Sequence, residues 1–207
     1  MPEKTVQKEP GKKPAPSKKP KPQQEVVVQI SLSELHPFPD HPFQVREDAS
    51  MQETAESVKE YGVLVPALAR PREDGGYELI AGHRRKHACE LAGLATMPVI
   101  VRDIDRDAAT IIMVDSNLQR ENILPSERAK AYKMKMEAIK RQGARTDLTS
   151  PKISAKFRSD DEVGQDAGVS GDTIRNYIAL TQLVPELQQM EDEKKLALSP
   201  ASQLAAL

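Results

Sequence analysis

The stretch that most constrains this chain is Tyr77-Glu-Leu-Ile-Ala-Gly-His-Arg-Arg-Lys-His-Ala-Cys-Glu-Leu-Ala-Gly93. A short apolar run passes through Gly82 into a basic first helical turn, and Gly93 closes the helix. A strand that runs through a glycine into a helix N-terminus gathers free backbone N–H groups at one point. Arg84 and Arg85 add charge and forked donors there. Two readings follow: a phosphate-binding turn, or the solvated basic face of a helix. An isolated Gly-x-Arg-Arg favours the second.

Composition narrows the background. The 207 residues allow one or two domains with a real core. Hydrophobic residues make up 38%, aromatics 3%, and tryptophan is absent, which suits helical domains with aliphatic cores better than a β-sandwich. The single cysteine, Cys89, excludes a disulfide scaffold and a Cys-rich zinc site. No apolar run approaches the roughly 20 residues of a membrane span, and the N-terminus lacks a signal-peptide core. A soluble cytoplasmic protein without a membrane partner is the expectation. The net charge of −1 hides an asymmetry, because seven lysines against two glutamates precede Glu25 and the remainder is mildly acidic. A bulk-basic coat for nucleic acid is excluded, so any DNA contact must come from local patches.

Along the chain, the Lys/Pro-rich residues 1–24 read as a disordered basic tail. Residues 25–30 read as a β-branched strand, and the three prolines in residues 35–46 force an extended loop. His36 and His41 in that loop lack a partner at metal-ligand spacing. A helix is predicted over 50–61, with Ala55, Val58 and Tyr61 on its inner face and Gly62 as its C-cap. Strands at 64–70 and 77–81 flank a hairpin turn at 74–76. The helix at 83–92 turns Ala88, Leu91 and Ala92 inward; a strand at 97–102 and a helix at 106–117, with Ile111, Ile112 and Val114 in its core, complete a small mixed α/β domain. After Asn122 the pattern is wholly helical. Pro125 suits a first turn, the helix from 126 packs through Ala129, Tyr132, Met136 and Ile139, and Gly143 is its expected stop. Residues 144–158 read as a loop with, at most, a short helix. Further helices are expected at 185–190 and 199–207.

Residues 160–180 carry the most specific local pattern. Val163, Ala167, Val169, Ile174 and Tyr177 fill the apolar places of a helix-turn-helix, Gly168 sits at the turn, and Gly164 lies where the two helices approach. Ser170 is placed to cap the second helix. That helix turns outward Ser170, Asp172, Thr173, Arg175 and Asn176, and Arg175 and Asn176 suit guanine or adenine edges in a major groove. A purely structural helical hairpin is the alternative. The joint match of apolar places and turn glycine favours DNA binding through Ser170, Thr173, Arg175 and Asn176.

With these motifs in order, the chain resembles the ParB/RepB partition-protein family from about Val26 onward. Asp40-His-Pro-Phe-Gln-Val-Arg46 is similar to the family's Asn-Pro-x-Gln-Pro-Arg loop, Ala81-Gly-His-Arg-Arg-Lys-His87 to its Gly-Glu-Arg-Arg box, and Asp115-Ser-Asn-Leu-Gln-Arg120 to its Glu-Asn-x-Gln-Arg box. The last is followed by a Pro-x-Glu helix start at Pro125-Ser-Glu127 and then the helix-turn-helix.

The resemblance implies an α+β chain: a ParB/sulfiredoxin-like domain over 25–122 that binds CTP with magnesium, then an all-α DNA-binding domain over 123–207. It implies that Gln44, Arg46, Gly82, Arg84, Arg85, Asn117 and Arg120 hold the nucleotide, with Asn117 as the magnesium contact. Its implied partners are a palindromic centromere-like DNA site, a ParA-type ATPase and a second copy of the chain in a nucleotide-switched DNA clamp on the nucleoid. The family's C-terminal dimerisation domain is not visible in the sequence.

His83 stands where the family has Glu, and Ser116 replaces the Glu of the third box. A serine hydroxyl brings neither charge nor a base near neutral pH, so at most weak CTP hydrolysis is expected and no catalytic residue is assigned. A helix-turn-helix regulator with a vestigial nucleotide pocket is the alternative. A sulfiredoxin-like enzyme is disfavoured, because Cys89 lies beyond the phosphate turn and near the helix's inner face.

Overall fold

The computed structural model describes residues 25–120, 122–147 and 159–206. The expected N-terminal tail and most of the 144–158 loop lie outside them. Five strands, β1 (Val27–Ser31), β2 (Leu35–Pro37), β3 (Ala67–Pro71), β4 (Tyr77–Ala81) and β5 (Thr96–Val101), form one mixed sheet in the order β1-β5-β3-β4-β2. The β3–β4 hairpin is antiparallel, while β5 joins β3 and β2 joins β4 in parallel. Helices α1 (Ala49–Tyr61), α2 (His83–Leu91) and α3 (Arg106–Leu118) complete the α+β part. Then come α4 (Pro125–Asp147), α5 (Ser159–Ala167), α6 (Gly171–Ala179), α7 (Pro185–Asp192) and α8 (Leu198–Leu204).

The apolar run at 77–81 has a simple cause. Successive strand residues point to opposite faces, and this sheet is covered on both. Leu79 joins Met51 and Val58 of α1 and Ala88 and Cys89 of α2. Its neighbour Ile80 joins Ala109, Met113 and Val114 of α3 and Ala131 of α4. The long helix α4 thus packs on the sheet domain at one level. At another it packs on the helix-turn-helix, where Tyr132 meets Val163 and Ile174. A last cluster around Leu180, Leu183 and Ala201 seats α7 and α8 against Ala129 of α4.

Several expectations need correction. The proline-bearing loop contains the short edge strand β2, which tolerates Pro37 because an edge strand needs no N–H there. Leu64 and Val65 are exposed and precede the strand rather than belong to it. Met51, not Tyr61, completes the inner face of α1, and Tyr61 is exposed. On α2 the exposed Leu91 yields the inner place to Cys89. Ala109 and Met113 are buried on α3, whereas Ile111 and Ile112 are only partly covered. Gly143 does not stop α4, which continues to Asp147. A glycine within a helix costs only about 1 kcal/mol relative to alanine, and α4's packing outweighs that.

Candidate functional site

Gly82 is the pivot of the site. Its φ of +111° is a left-handed conformation that side-chain-bearing residues avoid, and a Cβ there would stand 2.8 Å from Ala67 Cβ. The glycine lets β4 turn sharply into α2, so the first turn of α2 faces the loop ahead of α1 and the C-terminal end of α3. Asp48 caps α1 by accepting from the Met51 N–H at 2.9 Å. Arg84 reaches across to the same end, donating to Ser50 Oγ at 3.2 Å with Asp48 Oδ1 4.0 Å away.

Arg46 from the loop, Arg84 from α2 and Arg120 from just beyond α3 converge on one cavity of about 370 Å³, lined also by Gln44, Asp48, Ser50, Asn122 and Glu127. An adjoining cavity of about 220 Å³ shares Arg84 and Arg120 and adds Gly82, Arg85, Ser116, Asn117, His41 and His83. All seven residues expected at the nucleotide therefore line these two hollows, which share Arg84 and Arg120.

Three cations so close are unfavourable without an anion. Burial first, then repulsion from Arg84, push the Arg120 guanidinium below its ordinary value, and Arg46 adds to this; Glu127 and Asp48 oppose it only in part. Glu127 is already engaged, because its carboxylate accepts from the backbone N–H groups of Gln44 at 3.0 Å and Leu124 at 3.2 Å. In this way it ties the Gln44 loop to the start of α4 and half-closes a capping box. The arrangement fits a polyphosphate: positive charge, forked donors and a helix N-terminus meet in one open hollow.

The individual residues differ in role. Arg85 does not face the cluster freely. It donates to the carbonyls of Val65 and Pro66 at 2.6 Å each, so it holds the segment before β3. The Asn117 amide nitrogen donates to the Met113 carbonyl at 2.8 Å, which leaves Oδ1 turned toward Arg120 Nη1 at 3.5 Å. Ser116 Oγ donates to the same carbonyl at 3.0 Å.

These residues form no all-protein cage for magnesium, and an ion here would rest mainly on the nucleotide's own phosphates, with Asn117 Oδ1 as its contact from the chain. An amide oxygen beside a guanidinium is a weak start for a hard cation, and the described residues hold no cluster of three or more His, Cys, Asp or Glu suited to a metal. No step through a metal is derived.

Sequence reasoning passed over Asp48, Ser50, Asn122 and Glu127, and also a pair of imidazoles. The His41 and His83 rings lie tilted against each other with centroids 3.9 Å apart, and each has a buried Nε2 without a hydrogen-bond partner among the described residues. The two lie 42 positions apart in the chain, so no local spacing announces them.

The helix-turn-helix forms as its pattern predicts. Gly168 has φ +69°, and a Cβ on Gly164 would stand 2.6 Å from the Val169 carbonyl. Ser170 Oγ accepts from the Thr173 N–H at 3.2 Å and so caps α6. Val163 and Ile174 are fully buried between the helices, with Ala167, Val169 and Tyr177 packed around them. Ser170, Asp172 and Arg175 are exposed, and Thr173 and Asn176 are partly so. Arg175 donates to Asp160 on α5 and to Asp172 one turn back on α6.

A two-faced mixed sheet whose arginines converge on an anion-sized hollow, followed by a helix-turn-helix, defines a narrow class of chains. The ParB N-terminal domain model matches residues 16–118. The chromosome-partitioning protein Spo0J of Thermus thermophilus is 34% identical over 182 residues, covering 87% of this chain and 60% of that protein. The C-terminally truncated chromosome-partitioning protein ParB from Caulobacter crescentus, complexed to the centromeric parS site, superposes with a TM-score of 0.55 at 27% identity, covering 86% of this chain and 84% of that one. A pNOB8-like ParB N-domain shares the fold at TM-score 0.58 and 18% identity, over 88% of this chain and 80% of that domain.

The chain belongs to the ParB family. It spans 60% of the Thermus relative's length and 59% of the Stage 0 sporulation protein J of Bacillus subtilis.

Proposed function

We propose that this chain is a sequence-specific DNA-binding partition protein whose sheet domain, 25–122, binds CTP and whose helical part, 123–207, docks on a palindromic centromere-like site. The observation that carries the nucleotide half is the meeting of Arg46, Arg84 and Arg120 from three separate segments around one hollow. Arg46, Arg84 and Arg120 hold the phosphate oxygens in this reading, Gln44 and Asn117 line the approach, and Gly82 supplies close backbone passage. The DNA half rests on the packed helix-turn-helix, and the Caulobacter relative bound to parS supports it.

The bound nucleotide supplies negative charge that relieves the repulsion among the arginines. That relief couples occupancy to the placement of α3 and the start of α4, and so makes the pocket a latch. Two copies closing on DNA as a clamp, and a ParA-type ATPase acting on the loaded DNA, follow from the family resemblance. Ser116 turns its hydroxyl to a helix carbonyl and supports slow or absent hydrolysis rather than turnover; Ser116→Glu is expected to raise phosphate release.

The test is a nucleotide-binding screen of the wild type and Arg84→Ala, with and without genomic DNA fragments. CTP binding that is lost in the variant supports the pocket. Equal affinity in both proteins removes Arg84 from it. On DNA, replacing Arg175 should cost about 1–3 kcal/mol and relax specificity at one base pair. A uniform loss over all sequences makes Arg175 a phosphate contact.

A further inference from the structure

The helix-turn-helix carries an unusual charge balance. Between 159 and 180 stand Asp160, Asp161, Glu162, Asp166 and Asp172 against a single cation, Arg175. Phosphates repel such a surface, so little non-specific affinity can originate here, and Arg175 is the one positive charge this element brings to DNA. That guanidinium is not free. Its Nη1 is bound to Asp160 and its Nη2 to Asp172.

The two carboxylates differ in setting. The Asp160 side chain is only 12% exposed, held at the start of α5 under the recognition helix, whereas that of Asp172 is 80% exposed on the second residue of α6. A buried anchor stays in place when a duplex approaches; an exposed side chain swings aside. An arginine has five N–H donors in a planar fork, so one edge can remain tethered while the other is offered to a base.

We infer that Asp160 is a positioning residue that aims the Arg175 fork at a base edge, and that Asp172 is an electrostatic gate that keeps the same arginine off phosphates. The inference rests on the DNA-binding reading above and adds how its specificity arises. At a cognate base, Arg175 exchanges Asp172 for the O6 and N7 acceptors of a guanine while Asp160 keeps hold of Nη1. At a non-cognate position the exchange finds no acceptor pair. Asp172 then faces the backbone phosphates, and the complex is weakened by like charge. The two carboxylates act in opposite senses: removing the anchor should harm recognition of the best site, and removing the gate should improve binding to everything else.

The experiment uses the full chain and a pool of random-sequence duplexes. The best-bound sequence is selected with the wild type, and its affinity is compared with that for the pool at one fixed salt concentration. Asp160→Asn should lower the ratio of selected to random affinity roughly tenfold or more, with the random affinity unchanged. Asp160→Glu, which keeps a carboxylate, should restore part of the ratio. Asp172→Asn should also lower the ratio, but by raising random affinity severalfold with the selected site nearly unchanged.

Thermal melts show whether each variant is folded. Because Asp172 is exposed, its arm stands even where Asp160→Asn melts early. Equal losses on selected and random DNA in both variants, or an unchanged ratio, overturn the inference while DNA binding itself stands. A wild type that selects no sequence at all overturns the DNA-binding reading, and this inference with it.

Discussion

Lys135 Nζ lies 2.7 Å from Asp115 Oδ1 with its side chain only 1% exposed, and on its other side it meets Asp166 Oδ2 at 2.8 Å. One buried ammonium on α4 thus joins the end of α3, two residues from Asn117, to the first helix of the helix-turn-helix. Burial alone would lower its pKa, but the hydrogen bonds and charges of the two aspartates outweigh that and raise it, so the group stays charged. It is a physical link between the candidate nucleotide pocket and the candidate DNA-reading element.

Replacing Lys135 by Met keeps the stem and removes the charge. The partners Asp115 and Asp166 are 46% and 57% exposed and can rehydrate. The loss should therefore fall below that of a wholly buried broken pair, at about 1–3 kcal/mol. Chemical denaturation measures the total, and amide hydrogen exchange should show α5 losing more protection than the sheet. Uniform loss over the whole chain would deny the link any special place.

Gly82 and Gly93 both bracket α2 with positive φ, yet they should respond differently to alanine. At Gly93 a Cβ meets nothing within 4 Å among the described residues, so Gly93→Ala faces only backbone strain, about 1–2 kcal/mol. At Gly82 the same strain adds to a 2.8 Å approach to Ala67 Cβ in the sheet core, and Gly82→Ala should cost about 2–4 kcal/mol. Paired thermal melts check the order. Equal costs would mean that the strand yields and that close approach is not the reason for glycine here.

Much of this architecture was legible in the residues because its signals are local. The β3–β4 hairpin announces itself through Asp74-Gly-Gly76, α1 through Gly62, and the helix-turn-helix through a fixed apolar spacing around Gly168. The three boxes that meet at the arginine cluster were readable one by one, and their meeting was expected from family likeness rather than from periodicity. What escaped was non-local. Lys135 looks like any surface lysine on a helix, and only the arrival of Asp115 and Asp166 makes it a buried tie. The contact of His41 with His83 and the grip of Asp160 on Arg175 depend in the same way on tertiary neighbours that no window of sequence contains.

The imidazole pair sets an acid limit on stability. Burial first, then His41 and Lys86, lower the His83 pKa from 6.5 to about 3, and burial lowers that of His41. Below about pH 6.5 the unfolded chain takes up a proton at His83 that the folded chain refuses. Stability is therefore lost as pH falls through the window from 6.5 toward about 3. The slope contributed is at most about 1.4 kcal/mol per pH unit. Urea titrations at neutral pH and at about pH 5 should show His83→Gln losing about 2 kcal/mol less than the wild type. Parallel losses in the two proteins would place the acid sensitivity elsewhere.

Glu191 on α7 gives the opposite sign. Its residue is 6% exposed, its Oε2 is buried without a hydrogen-bond partner among the described residues, and the adjacent Asp192 is bound to Ser126 at the start of α4. Burial, then the Asp192 charge, raise the Glu191 carboxyl from 4.5 to about 7. The folded chain keeps this proton where the unfolded chain has released it, so its contribution is full below 4.5 and is lost as pH rises through about 7. Glu191→Gln, close in shape and uncharged, should leave stability at about pH 5 nearly unchanged and add about 1–2 kcal/mol at about pH 8. Because α7 rests against α4 through Asp192, the gain should appear as slower hydrogen exchange in both helices. A variant that is destabilised equally at both pH values would mean that the carboxylate is solvated or bound when charged, and that α7 places no limit on stability at alkaline pH.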